Sequence, residues 1–190
     1  IRYEAVHEIQ GWDDLRRRLA TDRKCFAFFH PAIPDDPLIF VEVALVHGLA
    51  DSVQALLAPE IDEKAPETAK TAIFYSISNC QAGLKGISFG NFLIKQVVEE
   101  LKREFPQLKQ FATLSPIPGF MGWLRTRQKS KADDADLAGQ VLEGLSQDGW
   151  IDDPEKVEAL RKPTVALCAT YLATCKRGKS PLDPTARFHL

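Results

Sequence analysis

A chain of 190 residues, 45% apolar and 26% charged, has the composition of a globular protein and the length for one domain with a small annex. Its net charge of −2, from 24 basic and 26 acidic residues, lacks the basic excess of nucleic-acid-binding domains, so we expect no nucleic acid partner. The longest apolar stretch, from Leu38 to Val46, has the length of a strand and contains Glu42, so we expect no membrane span and no membrane partner.

Strands and helices alternate through residues 11–114. Apolar periodicity, capping residues and proline positions define them. In chain order, the sequence predicts a helix that opens at 11–14, a strand at 26–29, a proline- and aspartate-rich turn at 30–37, a strand at 38–46, a short helix at 52–57, a loop at 59–67, a strand at 71–78, a glycine-bearing loop, an amphipathic helix at 89–101 and a strand at 111–114.

The composition changes after Trp123. Charged residues dominate 125–136, which we interpret as an exposed connection. The pattern then predicts helices at 135–145, 154–160 and 163–175, followed by a loop at 177–188. The chain therefore reads as a mixed α/β domain at 1–128, a helical annex at 129–178 and a terminal loop at 179–190.

The glycine-bearing loop, residues 81–91, joins an apolar strand to an amphipathic helix. Free backbone N–H groups and the positive dipole end at a helix start favour a bound phosphate, and glycines allow its close approach. The spacing fits neither the Rossmann nor the P-loop pattern, but the loop resembles the pyrophosphate-binding turn of the GNAT acetyltransferase superfold, on which coenzyme A sits. A plain glycine-containing turn remains the alternative.

Two further residues are candidates for chemistry. Ser115 ends a strand and precedes Pro-Ile-Pro-Gly, which stiffens the backbone around it, but the Gly-x-Ser-x-Gly nucleophile elbow is absent. A serine that only caps a turn is the alternative. His189 follows a loop that contains two prolines, and on its own it could equally be a structural histidine.

Metal sites and basic nucleotide sites are weakly indicated. The four histidines form no HxxxH or HxH pair and the four cysteines no CxxC pair, so we expect free thiols and no metal site. The run Arg16-Arg17-Arg18 could reach a nucleotide phosphate, but its spacing favours a solvated helix face.

Several longer motifs resemble the malonyl-CoA decarboxylase family. They are the strand at 71–78, the run Phe-Leu-Ile-Lys-Gln-Val-Val-Glu-Glu-Leu at 92–101, Ser-Pro-Ile-Pro-Gly-Phe at 115–120 and Pro-Thr-Ala-Arg-Phe-His-Leu at 184–190. The likeness runs from about residue 11 to residue 190. It implies a GNAT-like mixed sheet flanked by helices, with a helical annex, and a carboxy-lyase that converts malonyl-CoA to acetyl-CoA and carbon dioxide.

The resemblance also implies roles for individual residues. Ser115 and His189 form the catalytic pair, and the terminal loop returns His189 to the core. No cofactor and no metal are implied, because coenzyme A is part of the substrate. The residues implied to bind coenzyme A are Lys85, Gly86, Ile87, Ser88, Phe89, Gly90 and Asn91.

The resemblance has departures and rivals. Some relatives carry a glutamate where this chain has Ser88, so a role for that carboxylate does not transfer. We expect the chain to be truncated at both ends, without the N-terminal helical domain through which the family forms homo-oligomers. The implied location is the cytoplasm in a bacterium and mitochondria or peroxisomes in a eukaryote. The rival functions are a coenzyme A-dependent N-acetyltransferase and a non-catalytic acyl-CoA sensor.

Overall fold

A computed structural model describes residues 4, 6–84 and 90–189 of the chain. The chain divides into two compact units, Ile1–Pro116 and Ile117–Leu190. The first contains α1 (Trp12–Arg18), β1 (Arg23–His30), β2 (Ile33–Val46), α2 (Val53–Leu57), α3 (Ala65–Thr68), β3 (Thr71–Asn79), α4 (Gly90–Glu104) and β4 (Gln110–Thr113). The second contains α5 (Phe120–Arg127), α6 (Ala135–Ser146), α7 (Pro154–Thr174), β5 (Lys176–Arg177), β6 (Ser180–Pro181) and α8 (Pro184–His189).

The first unit is built on a four-stranded sheet in the order β1-β2-β3-β4. β1 and β2 are antiparallel, as are β2 and β3, whereas β3 and β4 are parallel. Parallel neighbours need a crossover, and the segment that contains α4 provides it. The expected mixed sheet flanked by helices is therefore confirmed.

Helices cover both faces of the sheet. On one face, α4 buries Leu93, Val97 and Leu101 against a cluster that includes Val43 and Phe74. On the other, Leu56 of α2 packs with Ala44, Ile73 and Tyr75. The predicted helical periodicity of α4 is confirmed, because its apolar residues recur at the spacing that places them on one side.

A β-bulge interrupts the ladder between β2 and β3. The register steps from Glu42 opposite Ser76 to Val43 opposite Phe74, so Tyr75 is an additional residue in β3. A bulge bends the strand and re-aims the side chains around it. Glu42 and Ser76 are consequently brought opposite each other, both buried.

The second unit has its own core. Phe120 and Leu124 of α5, Val141 of α6, and Leu167 and Tyr171 of α7 are buried together. The strands β5 and β6 form a short antiparallel hairpin before α8.

Two predictions about local structure are wrong, and a third begins too early in the chain. The predicted turn at 30–37 is mostly strand: β2 begins at Ile33, and the register steps from Phe29 opposite Pro37 to His30 opposite Ile33, so Pro34 falls in a bulge. The predicted exposed connection at 125–136 begins inside α5, which continues to Arg127. The predicted break between helices at 160–163 does not exist, because α7 continues through Pro163 and its core contacts outweigh the lost hydrogen bond.

The end of the chain differs from the prediction as well. The predicted terminal loop contains the β5–β6 hairpin and the helix α8. The compact units divide between Pro116 and Ile117, while the division after residue 128 into a catalytic core and an annex stays a prediction. Among the helices that the structure describes, none has the length and apolar content needed to cross a bilayer.

Candidate functional site

Ser115 lies just beyond the carboxyl end of β4. The ladder between β3 and β4 ends where Leu114 N–H donates to the Phe74 carbonyl at 2.9 Å, and Ser115 follows, half-buried. The carboxyl ends of parallel strands lie at the same edge of a sheet, and this edge is where ligands of open α/β sheets bind. Ser115 therefore stands at the edge at which the chain leaves β3 toward the glycine-bearing loop.

Strand β3 extends further than its neighbour. Its pairing with β4 reaches Thr113 opposite Phe74, whereas β3 itself continues to Asn79. Among the described residues, the length of β3 beyond Phe74 is paired with β2 but not with β4. Backbone groups on the edge of a strand can hydrogen-bond an extended ligand that carries amides.

The predicted coenzyme A loop is described in part. Lys85, Gly86, Ile87, Ser88 and Phe89 lie outside the described residues. Gln81, at the start of the loop, is held by two hydrogen bonds. Its side-chain amide donates to the Pro37 carbonyl at 3.0 Å, and its backbone N–H donates to Asn79 Oδ1 at 3.1 Å.

The loop's far end is also located. Helix α4 begins at Gly90 and continues through Asn91, so a helix start stands where the phosphate-binding hypothesis requires one. Contact between coenzyme A and these residues stays a prediction.

His189 is the last residue of α8. Its ring is half-buried and meets the Phe188 ring edge-on, with 4.9 Å between the ring centroids. Burial lowers the pKa of His189 below its ordinary value of 6.5, because desolvation disfavours the charged imidazolium. Ser115 belongs to the first compact unit and His189 to the second, and their pairing stays a prediction.

A buried polar cluster, which the sequence analysis did not predict, lies on the α2 face of the sheet. Glu42 and Arg18 are paired at 3.1 Å, with side chains 4% and 3% exposed, and Arg18 also binds Asp14 at 2.9 Å. Beside them the Ser76 hydroxyl donates to the Glu4 carboxylate at 2.8 Å. Every member is charged or hydroxylic, so this part of the sheet face is polar inside an otherwise apolar layer.

The two carboxylates around Arg18 differ in their acidity. Burial raises the pKa of Glu42, and the nearby Glu4 carboxylate adds to the increase. The hydrogen bond from Arg18 lowers the pKa of the less buried Asp14. A rule based on periodicity could not have found the pair, since Glu42 sits in the middle of an apolar strand and Arg18 in a run of basic residues.

The arginine run at 16–18 is mostly not a solvated face, contrary to prediction. Arg16 is exposed, but Arg17 and Arg18 are buried. Arg17 pairs with Asp22 at 2.7 Å, and Arg23 pairs with the same carboxylate at 3.0 Å. These ion pairs engage the guanidinium groups within the fold, so a role in binding a nucleotide phosphate is not supported.

The four cysteines are free thiols, as predicted. Within the ranges that the structure describes, no three His, Cys, Asp or Glu side chains are grouped to hold a metal ion.

Comparisons with known proteins identify the relatives of this architecture. The family model of the malonyl-CoA decarboxylase C-terminal domain matches residues 1–190. The chain is 38% identical to mitochondrial malonyl-CoA decarboxylase of Anser anser anser and 37% identical to that of Mus musculus, and each match covers 98% of this chain. Crystal structures of malonyl-CoA decarboxylase from Rhodopseudomonas palustris and Agrobacterium vitis match all of it, with TM-scores of 0.89 and 0.87 at 50% and 47% identity.

The relatives are longer than this chain. The matched part is 42% of the two mitochondrial proteins and 47% of the two bacterial structures. The chain thus spans less than half the length of the proteins that it resembles.

Proposed function

The chain belongs to the malonyl-CoA decarboxylase family, and from this membership we propose that it forms the catalytic part of an enzyme that converts malonyl-CoA to acetyl-CoA and carbon dioxide. One observation of the fold carries the proposal beyond the likeness. The strand that leads to the glycine-bearing loop and the strand that leads to Ser115 are parallel neighbours, so both approach the same edge of the sheet.

The reaction breaks the bond between the malonyl carboxylate and the methylene carbon. The electron pair of that bond passes to the thioester as an enolate, carbon dioxide leaves, and the methylene carbon then takes up one proton to become the methyl group of acetyl-CoA. Hydrogen-bond donors placed near the thioester oxygen stabilise the enolate. We assign no metal, cofactor or acyl-enzyme to this sequence, because the thioester itself accepts the electron pair.

We assign two side chains to these steps. The Ser115 hydroxyl hydrogen-bonds the malonyl head group, and the His189 imidazolium donates the proton to the new methyl group. Burial lowers the pKa of His189, which makes its imidazolium a stronger acid than an exposed one. Both side chains are half-buried, which suits groups that meet a substrate in a partly dry pocket.

The glycine-bearing loop holds the coenzyme A end of the substrate in this proposal. Backbone N–H groups between Lys85 and the start of α4 bind the pyrophosphate. Binding energy far from the reacting carbon then orients it. Gly86→Val should weaken coenzyme A binding in calorimetry while the protein stays folded; equal affinity would refute this part of the proposal.

The decisive experiment uses Ser115→Ala in the full-length enzyme with malonyl-CoA as sole substrate. We expect normal folding and a loss of carbon dioxide release of about 100-fold or more, the scale of losing one donor to a developing oxyanion. Ser146→Ala is the matched control, because its hydroxyl donates to the Glu143 carbonyl on an exposed helix surface, and it should keep full activity.

The same assay separates the rival functions. An acetyltransferase or an acyl-CoA sensor releases no carbon dioxide from malonyl-CoA alone. Full activity of Ser115→Ala would remove Ser115 from the mechanism, and a covalent malonyl or acetyl adduct on it, found by mass spectrometry, would replace the hydrogen-bonding role with a nucleophilic one.

Assembly and location follow from the longer relatives. We propose that the whole protein forms a homo-oligomer through an N-terminal helical domain outside this chain, which light scattering of the full-length protein would measure. In a eukaryotic source the mitochondrial names of two relatives favour mitochondria, with peroxisomes as a second site, and in a bacterium the protein would act in the cytoplasm.

A further inference from the structure

Asp183 caps the helix that carries His189. The aspartate is buried, with 1% of its surface exposed, and it directly precedes α8. Its Oδ1 accepts hydrogen bonds from Thr185 N–H at 2.8 Å and Ala186 N–H at 3.1 Å, and its carbonyl accepts from Arg187 N–H at 3.1 Å. One carboxylate oxygen is therefore sufficient to fix the start of α8.

The second carboxylate oxygen binds two other segments. Asp183 Oδ2 accepts from Gly119 N–H at 3.2 Å and from the Tyr171 hydroxyl at 3.3 Å. Tyr171 belongs to α7 and is 2% exposed, and its ring lies 5.3 Å from Trp123 by centroids. Asp183 thus joins the starts of α5 and α8 to the end of α7 through one buried side chain.

Position 119 requires glycine because its backbone lies close to Tyr171 and Asp183. Its φ of −81° is open to any residue, so conformation does not require glycine. A Cβ at this position would overlap the Tyr171 hydroxyl and would lie 3.1 Å from Asp183 Oδ2. Only a residue without a side chain lets the Gly119 N–H reach the carboxylate.

Gly119 is also linked closely to Ser115 along the chain. Pro116, Ile117 and Pro118 alone separate the two residues, and both prolines have a fixed φ. The segment that leads from Ser115 to the start of α5 is therefore short and has little backbone freedom.

We propose that Asp183 is a positioning residue, which ties the helix carrying His189 to the start of α5 and the end of α7 and so holds the His189 imidazole in place for proton transfer. This inference rests on the proposed function, because it takes His189 to be the proton donor. Asp183 itself is assigned no contact with substrate. A misplacement of about 1 Å in reacting groups can lower a rate about 100-fold.

The test variant is Asp183→Asn in the full-length enzyme. Asparagine keeps the Oδ1 acceptor and is an equally good cap, but its amide NH₂ replaces Oδ2 and cannot accept from Gly119 N–H. We expect kcat for decarboxylation to fall by about 10- to 100-fold while KM changes little, because the coenzyme A loop is untouched.

Two further variants separate positioning from general stability. Asp153→Ala removes a comparable cap from α7, where Asp153 Oδ1 accepts from Glu155 N–H at 3.1 Å and Lys156 N–H at 3.3 Å, and it should lower stability while kcat stays unchanged. Tyr171→Phe removes one donor and keeps the Gly119 bond, so kcat should fall less than in Asp183→Asn.

Each outcome decides the inference. A loss of kcat in Asp183→Asn with unchanged KM, absent from Asp153→Ala, supports it. Unchanged kcat in Asp183→Asn beside inactive His189→Asn overturns the inference and leaves the proposed function standing. An equal loss of kcat in Asp183→Asn and Asp153→Ala has the same consequence. Full activity of His189→Asn overturns the proposed function and this inference together. If Asp183→Asn does not fold, Tyr171→Phe decides, and its unchanged kcat counts against the inference.

Discussion

The contact between Gly119 and Tyr171 allows a direct test of the packing around Asp183. Gly119→Ala adds one methyl group, which would overlap the Tyr171 hydroxyl and lie 3.1 Å from Tyr171 Cζ. Overpacking of this kind costs about 1–3 kcal/mol. Alanine also reduces the freedom of the unfolded chain, which returns about 0.4–1 kcal/mol at a backbone conformation it can adopt. We therefore expect a net loss of about 1–2 kcal/mol in the free energy of unfolding.

A second mutation, Tyr171→Phe, removes the hydroxyl that the added methyl group would overlap and completes a double-mutant cycle. Tyr171→Phe deletes the overlapping oxygen together with its hydrogen bond to Asp183, at a cost of about 1–2 kcal/mol by itself. In that background Gly119→Ala should be nearly neutral, which gives a coupling of about 1–2 kcal/mol between the two sites.

Urea unfolding of the four full-length proteins measures each corner of the cycle. If Gly119→Ala costs the same in both backgrounds, within about 0.5 kcal/mol, the hydroxyl is not what requires glycine and the reasoning fails.

Three other predictions concern stability. Glu42→Ala should lower the free energy of unfolding by about 3 kcal/mol, because the buried Arg18 then loses one of its two carboxylate partners and keeps Asp14 and the Glu8 carbonyl. Denaturant titration should find a smaller loss in the double variant Arg18→Met/Glu42→Leu, and an equal loss would contradict this. Pro163→Ala should restore a helix hydrogen bond inside α7 and raise Tm by about 2–4 °C per kcal/mol gained. A lower Tm in calorimetry would show instead that the proline is needed for packing. Since the folded-state pKa of His189 lies below 6.5, the unfolded state binds more protons at this residue, and the free energy of unfolding should fall as pH drops below 6.5. His189→Asn should remove this part of the pH dependence, and identical unfolding curves of the wild-type protein across that range would refute the prediction.

The sequence predicted those elements whose signal is local. Helix α4 and strand β3 were found because their apolar spacing lies within one element, and it is the same spacing that buries Leu93, Val97 and Leu101. The predictions failed where contacts between elements outweigh the local signal. Pro163 suggested a helix boundary by its local effect, whereas buried residues such as Leu167 and Tyr171 keep α7 continuous.

One missed element did have a signal in the sequence. Asp183 followed by Pro184 is a cap residue followed by the residue most favoured at the first helical position. The two prolines of this segment, Pro181 and Pro184, favoured a loop prediction instead. Helix α8 and the hydrogen bonds of Asp183 show that the capping pair was the stronger signal.

The sequence by itself determined the family, the strand order and the longer helices of the first unit, and the identities of Ser115 and His189 as candidates, because motifs and periodicity are written along the chain. Only the tertiary structure decided which polar side chains meet inside the protein. Arg18 meets Glu42 across 24 positions, and Asp183 meets Gly119 across 64. Burial of a charge is stable only with a partner, and that partner is supplied by the strand register and helix packing, which no local pattern specifies.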